Sequence, residues 1–172
     1  MASKKQKTSY ASKLKEDPDL SSPLHDEIQM WAMKNKTALH SKLLSMTTSP
    51  KTTNDVFIGM CMLEKPIKNR LANGRLGNSI VGYMDVVLGN ADAMECAADV
   101  RQFGPSFFIE IKSKITSFGE IMRELQFYST HLCTTWVKKR HIVLLAPSIP
   151  FADMIREQGF TVLEYKADLF EV

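Results

Sequence analysis

Apolar and charged residues alternate near the middle of the chain, and the alternation predicts a β-strand. The apolar members are Phe107, Ile109 and Ile111, and the charged members are Glu110 and Lys112. Successive strand residues face opposite sides of a sheet, so the two charged residues would share one face. Residues two apart on a strand are separated by about 6.5–7 Å, which lets both side chains reach one small site.

A second alternating run lies upstream and predicts another strand. Its pattern places Met84 and Val86 on one face and Asp85 on the other. If the two strands pair, Asp85 can approach Glu110 and Lys112.

Helical spacing and capping residues predict two long helices. Ser22 before Pro23 is typical of a helix start, with serine as the N-cap. The face of this first helix, which would end before residue 47, consists of Ile28, Trp31, Leu39, Leu43 and Met46. Ser117 with Glu120 three residues later is the capping-box pattern of a second helix. The apolar face of that helix consists of Phe118, Ile121, Met122, Leu125, Tyr128 and Leu132.

Shorter runs complete the predicted elements. A strand followed by a turn at Pro66 is expected within residues 55–70, then a glycine-containing loop over 73–78 and the Asp85 strand over 80–88. Residues 89–105 show no clear periodicity. The last elements are a buried strand, a short helix closed by glycine and a final strand, over residues 141–146, 152–158 and 160–165.

The order helix, three strands, helix, strand, helix, strand predicts an α/β fold, a mixed central sheet flanked by helices. The early strands favour antiparallel pairing, and the later strand–helix–strand crossovers favour parallel, right-handed connections. At 172 residues the chain suits one domain, expected over residues 22–172. Residues 1–21 are polar with five lysines. We expect them to form a flexible basic arm, either a solubilising tail or a phosphate-contacting segment.

Composition and charge narrow the functional classes only slightly. The formal net charge of +3 leans towards anionic partners. No apolar run approaches the roughly 18 residues of a membrane span, and the start lacks the apolar segment of a signal peptide, so a cytoplasmic protein is expected. The cysteines, at positions 61, 96 and 133, have no ligand spacing. Reduced thiols are expected, with neither a zinc site nor disulfides.

An aspartate, a glutamate and a lysine in one place suggest a divalent metal site. Two close carboxylates repel unless a cation joins them, and oxygen ligands suit Mg²⁺ or Mn²⁺. A neighbouring lysine could orient or deprotonate a metal-bound water and offset charge on a phosphate. Asp85, Glu110 and Lys112 therefore predict a site for phosphodiester hydrolysis. Glu27, in the first turn of the first helix, is either a further metal ligand or an acid favoured there by the helix dipole.

These residues carry a family resemblance. Asp85 in one strand and Glu110-Ile111-Lys112 in the next, within this order of elements, resemble the PD-(D/E)xK nuclease superfamily. That superfamily includes restriction endonucleases, Holliday-junction resolvases and RecB-like exonucleases. The resemblance covers residues 22–172 in architecture and implies a restriction-endonuclease-like αβββαβ core. It also implies that Asp85, Glu110 and the Ile111 carbonyl bind metal and that Lys112 positions water.

The helix after the lysine strand extends the resemblance. Residues 119–128 are similar to a pattern of glycine, glutamate, arginine, glutamine and tyrosine that many of these nucleases carry. By that similarity Gln126 and Tyr128 would support the site or contact substrate. Two positions depart from the family pattern: Met84 stands in place of the proline of the motif, and Glu124 where glutamine is expected.

The sequence therefore predicts a Mg²⁺- or Mn²⁺-dependent nuclease that acts on DNA as an endonuclease, with a homodimer expected if both strands are cut. The residues expected to contact nucleic acid are Lys68, Arg70, Arg75, Tyr128, Lys138, Lys139 and Arg140.

Three alternatives stay open. Glu110 and Lys112 could form an ion pair on a solvated strand face. The same fold could serve as a non-catalytic nucleic-acid-binding or assembly module with structural acids. A small-molecule enzyme is the third, although no glycine-rich phosphate loop or Ser/His/Asp arrangement supports it.

Overall fold

The computed structural model describes residues 22–47, 61–70, 76–89, 105–132 and 140–170. Within these ranges the chain forms four helices and five strands, in the predicted order except that the first helix is divided. The helices are α1 (Pro23–Lys34), α2 (Lys36–Thr47), α3 (Phe118–Leu132) and α4 (Ala152–Glu157). The strands are β1 (Cys61–Arg70), β2 (Leu76–Leu88), β3 (Ser106–Ile111), β4 (Arg140–Ala146) and β5 (Thr161–Glu164). The predicted arm, residues 1–21, lies outside the described ranges.

The five strands form one open mixed sheet in the order β1-β2-β3-β4-β5. The pairs β1–β2 and β2–β3 are antiparallel, whereas β3–β4 and β4–β5 are parallel. This topology confirms the predicted change from early antiparallel strands to later parallel crossovers. The protein is therefore an α/β fold with a mixed sheet flanked by helices.

The prediction of a turn at Pro66 is wrong, because β1 continues through this residue and places it opposite Tyr83. Strand β1 lies at the edge of the sheet, where a proline without an N–H is tolerated. Strand β2 also begins earlier than predicted, at Leu76, which pairs with Arg70. Pairing with β1 keeps these residues extended despite their loop-like composition.

The first predicted helix is two helices separated at Asn35, whose backbone has φ −98° and ψ 17°. Ser22 and Pro23 start α1 as expected, but the Ser22 side chain makes no capping hydrogen bond. The Asn35 side-chain amide instead donates to the carbonyl of Trp31, at 3.0 Å. Such local side-chain bonds compete with the helix and favour a break.

Helices cover both faces of the sheet. Residues of α1 and α2, including Ile28, Leu39 and Leu43, pack against one face of β2, β3 and β4. Helices α3 and α4 pack against the other face, through Leu125 and Ile155 among others. All six residues of β3 are buried, as expected for a strand covered on both sides. The expectation that Met46 faces the core is wrong, since it is 42% exposed.

Helix α3 starts and packs as its sequence predicts. The backbone N–H of Glu120 donates to Ser117 Oγ at 3.4 Å, which is one half of the capping box. The buried side chains of α3 are Ile121, Met122, Leu125 and Tyr128. None of the helices in the described ranges is long and apolar enough to cross a membrane.

We predict that Leu39→Ala lowers the free energy of unfolding by about 2–5 kcal/mol, because it leaves a cavity in the core between α2 and the sheet. Met46→Ala on the same helix removes an exposed side chain and should change the unfolding free energy by less than about 0.5 kcal/mol. Urea denaturation followed by circular dichroism measures both. Equal effects of the two substitutions would contradict the packing described for α2.

Candidate active site

Asp85 lies where β2 and β3 separate. The ladder between these strands runs from Leu88 opposite Phe107 to Val86 opposite Ile109. Beyond that point the backbone N–H of Ile111 donates to Asp85 Oδ2 at 2.7 Å. A buried backbone donor requires an acceptor, and here the acceptor is a carboxylate. The hydrogen bond therefore holds the Asp85 side chain at the gap between the strands, where the residue is only 5% exposed.

The alternation of β2 is interrupted at the same point. Val86 packs with the residues beneath α1 and α2, but Met84 packs with Val87 and Tyr128 beneath α3. Strict alternation would put Met84 and Val86 on one face, so that expectation is wrong across Asp85. The backbone carbonyl of Asp85 accepts a hydrogen bond from Gln29 Nε2 of α1 at 3.3 Å. Helix α1 thus holds the main chain of the irregular residue.

The neighbouring strand is irregular too. Leu63 pairs with Val86 and Lys65 with Met84, so Glu64 of β1 stands opposite Asp85 of β2. Its φ is 48°, in the left-handed region that non-glycine residues rarely adopt. Strained backbone of this kind costs about 1–3 kcal/mol and is concentrated at functional sites.

Glu110 brings a second buried carboxylate, which is 3% exposed. Its Oε1 lies 2.9 Å from Lys112 Nζ, while its Oε2 is buried without a hydrogen-bond partner among the described residues. Burial raises the pKa of the Glu110 carboxyl well above its usual range, and the charge of Asp85 adds to this effect against the opposing charge of Lys112. The solvated ion pair considered as an alternative is therefore excluded.

Lys112 follows directly after β3, and its backbone N–H donates to the Leu145 carbonyl of β4 at 3.0 Å. Its Nζ lies 2.9 Å from Glu110 Oε1 and 3.0 Å from each carboxylate oxygen of Glu124. Burial lowers the pKa of Lys112, but the two carboxylates outweigh it and raise that pKa. Lys112 is therefore an ammonium ion at neutral pH.

Helix α3 supplies the partners of the lysine. Tyr128 lies one turn after Glu124 and donates from its hydroxyl to Glu124 Oε1 at 3.3 Å. Burial and then the nearby carboxylates raise the pKa of Tyr128, so it stays a neutral donor. Tyr128 thus belongs to the cluster, and its expected roles, support of the site or contact with substrate, stay predictions. In the sequence, Glu124 stands out only because it departs from the family pattern.

His25 of α1 is a site residue that the sequence interpretation missed. It is 3% exposed, and its Nε2 lies 3.4 Å from Asp85 Oδ2. The signal was present, because His25 precedes Ile28 by three residues and Gln29 by four and so belongs to the buried face of the helix.

Two predicted site residues lie apart from this cluster. Glu27 is exposed, and its Oε1 accepts a hydrogen bond from the Tyr165 hydroxyl at 2.9 Å. Gln126 is exposed as well, and two residues of a helix place it about 200° around the axis from Glu124. Neither position supports the predicted roles. A metal-binding Ile111 carbonyl stays a prediction.

The predicted DNA-contacting cations are only partly described. Arg75, Lys138 and Lys139 lie outside the described residues. Lys68 and Arg70 stand in β1 on the side of the sheet at which β3 ends. Arg140 pairs with Ser106 at the start of β3, and five residues of strand separate it from the site by about 17 Å. Its backbone position does not flank the site as expected.

The metal site stays a prediction. Within the described part of the chain no group of three or more His, Cys, Asp or Glu residues is arranged to hold a metal ion. Mg²⁺, however, keeps several waters and often takes only one or two carboxylates. Asp85 and Glu110 supply two, and Glu110 Oε2 is a buried acceptor in need of a cation or a donor.

Comparison of the chain with protein-family models finds no match, and comparisons with curated proteins and with solved structures find no significant similarity. The geometry of the site therefore carries the functional argument.

The raised pKa of Glu110 predicts a specific pH dependence of stability. A carboxyl whose pKa is raised in the folded state destabilises the fold as pH rises above its unfolded value, near 4.3. Glu110→Gln should therefore gain stability relative to the wild type as pH increases from about 4.5 to 8, by at most about 1.4 kcal/mol per pH unit. Urea denaturation at several pH values measures the difference, and a difference independent of pH would contradict the assignment.

Proposed function

We propose that this chain is a metal-dependent nuclease that hydrolyses phosphodiester bonds in DNA, built on a restriction-endonuclease-like core. The observation that carries the proposal is the buried group formed by Asp85, Glu110 and Lys112, in which Glu110 Oε2 has no partner among the described residues. Paired acids and a lysine in this order on adjacent strands are what the family resemblance requires.

In the proposed site, Asp85 and Glu110 would hold Mg²⁺ or Mn²⁺, with the Ile111 carbonyl as a further oxygen ligand. The ion, when bound, would polarise the phosphate and lower the pKa of a bound water. The Ile111 N–H and His25 keep the Asp85 carboxylate in place. Lys112 enters as an ammonium ion, so it would orient the water and offset negative charge on the phosphate rather than act as a base.

The proposed DNA substrate is supported by the place of two cationic residues in β1. Lys68 and Arg70 belong to a β1–β2 hairpin that extends past the end of β3. Cations there would contact the phosphates of a DNA duplex beside the reacting bond. Endonucleolytic cleavage is the expected activity, and a homodimer would bring two sites to the two strands.

A non-catalytic nucleic-acid-binding or assembly module is the second candidate. It is favoured by the position of Lys112, which already forms ion pairs with Glu110 and Glu124. A buried ion-pair cluster of this kind can serve structure alone.

Cleavage by active-site variants tests the proposal. Lys112→Ala, Asp85→Asn and Glu110→Gln should each reduce nicking of supercoiled and branched DNA with Mg²⁺ or Mn²⁺ by at least about 100-fold, because each removes a charge on which the transition state depends. DNA binding by Lys112→Ala should largely persist. The matched control is Asp153→Asn, which neutralises an exposed carboxylate paired with Arg156 at 2.7 Å.

Two results would overturn the nuclease proposal in favour of the binding module. One is a wild-type protein that binds DNA but cleaves no substrate with either metal. The other is cleavage by all three variants at the wild-type rate.

The role of the hairpin is tested by the salt dependence of binding. Lys68→Ala with Arg70→Ala should weaken DNA binding and reduce the slope of log affinity against log salt by about 1–2, since each phosphate contact releases about one counterion. Lys42→Ala, which removes an exposed cation of α2, should leave that slope unchanged. Fluorescence anisotropy with labelled duplex measures both, and equal slopes for the hairpin variant and the wild type would exclude the hairpin from the interface.

A further inference from the structure

We propose that Glu124 is the positioning residue that seats the Lys112 ammonium in the cleft through an ion pair made by both of its carboxylate oxygens. This inference rests on the proposed function, because it assigns a role within the same site. It concerns a residue at which the chain departs from the family pattern, so the resemblance does not supply it.

Two carboxylates hold Lys112 in different ways. Glu124 offers both oxygens to Lys112 Nζ at 3.0 Å, and Glu110 offers one at 2.9 Å. An ammonium ion engaged by two oxygens of one carboxylate is restricted in direction as well as in distance. Glu124 therefore adds to the hold of Glu110 a second, two-oxygen contact from α3.

The two acids differ in their surroundings. The side chain of Glu124 is 31% exposed, whereas that of Glu110 is 4% exposed. Glu110 belongs to the pair of acids proposed to hold the metal, so Glu124 is the acid left to hold the lysine.

A further contact fixes Glu124 in this orientation. The Tyr128 hydroxyl donates to its Oε1, and Tyr128 is itself buried against Met84, Val87 and Phe108. The helix presents Glu124 to the end of β3 because Ile121, Leu125 and Tyr128 are packed on the sheet.

The titratable groups of the cluster come from four elements. Glu110 of β3 and Glu124 of α3 face Lys112, and Tyr128 of α3 contacts Glu124. Asp85 of β2 acts on Glu110, and His25 of α1 contacts Asp85.

Glu124 limits where the ammonium group can lie. Without this carboxylate, Lys112 Nζ would keep its contact with Glu110 but lose the two contacts with Glu124, and the lysine would leave the cleft more often.

The direct test is hydrogen exchange of the Lys112 ammonium group at neutral pH, measured by NMR on ¹⁵N-lysine-labelled protein without metal or DNA. Glu124→Gln keeps the shape of the side chain and an acceptor for Tyr128 but removes the charge. We expect it to accelerate exchange at Lys112 at least tenfold, because a seated, hydrogen-bonded group is protected from water. Asp153→Asn is the matched control and should leave this exchange unchanged. Unchanged exchange in folded Glu124→Gln overturns the proposal.

A second variant keeps the proposal testable if Glu124→Gln does not fold. Glu124→Asp retains the charge on a shorter side chain that reaches Lys112 less well, so a smaller acceleration in the same direction is expected. If Glu124→Gln fails to fold, unchanged exchange in Glu124→Asp overturns the proposal instead.

Cleavage provides the separate functional readout. Glu124→Gln should lower kcat about tenfold or more with little change in KM for DNA, because it displaces the lysine without removing a contact to the substrate. Accelerated exchange in a protein whose wild type cleaves nothing refutes the nuclease function but leaves the seating of Lys112 intact. Unaltered exchange refutes the seating, whatever the cleavage shows.

Discussion

The hydrogen bond from the Ile111 N–H to Asp85 Oδ2 is the interaction on which the site depends. Strands β2 and β3 separate after Val86, and a backbone donor at such a break must find an acceptor other than the neighbouring strand. Asp85 provides it, at the cost of burying a carboxylate. Gln29 and His25 of α1 then hold the same residue from the other side. One irregularity in the sheet thus determines where the charged cluster forms.

The charged residues of the cluster interact mainly with one another, because burial keeps them largely away from solvent. Glu110 is buried beside Asp85, and its raised pKa expresses the cost of that position. Lys112 compensates part of the cost, whereas the charge of Glu124 adds to it, and Tyr128 is a neutral donor to Glu124. Apolar residues of similar size would serve stability as well or better. Among the described residues Glu110 Oε2 has no hydrogen-bond partner, and perturbed acids of this kind are concentrated at functional sites.

Rigid surroundings make the geometry reproducible. Strand β3 is paired on both sides and buried on both faces, so Glu110 and the start of the Lys112 segment have little freedom. Helix α3 adds Glu124 from a face whose rotation is set by its buried side chains. The edge hairpin of β1 and β2 is less enclosed, which suits an element proposed to contact DNA. The most rigid elements thus carry the residues that are proposed to take part in cleavage.

The sequence by itself determined the order of elements, the charged strand and the packed face of α3, because alternation and helical spacing directly reflect which side chains are buried. The sequence also predicted the capping at Ser117 and the apolar strand within residues 141–146. The tertiary structure decided the continuation of β1 through Pro66, the break at Asn35 and the interruption at Asp85, since each depends on pairing or packing with distant residues.

Only the folded chain placed His25 and Glu124, rather than Glu27 and Gln126, in the charged cluster. In both cases the residue in the cluster lies two positions from the expected one, on the opposite side of a helix. Periodicity shows that a helix has a buried face, but it does not show which partner a polar residue on that face will meet. His25 meets Asp85, and Glu124 meets Lys112. Both partners lie far along the chain, and only packing of the helices on the sheet brings them together.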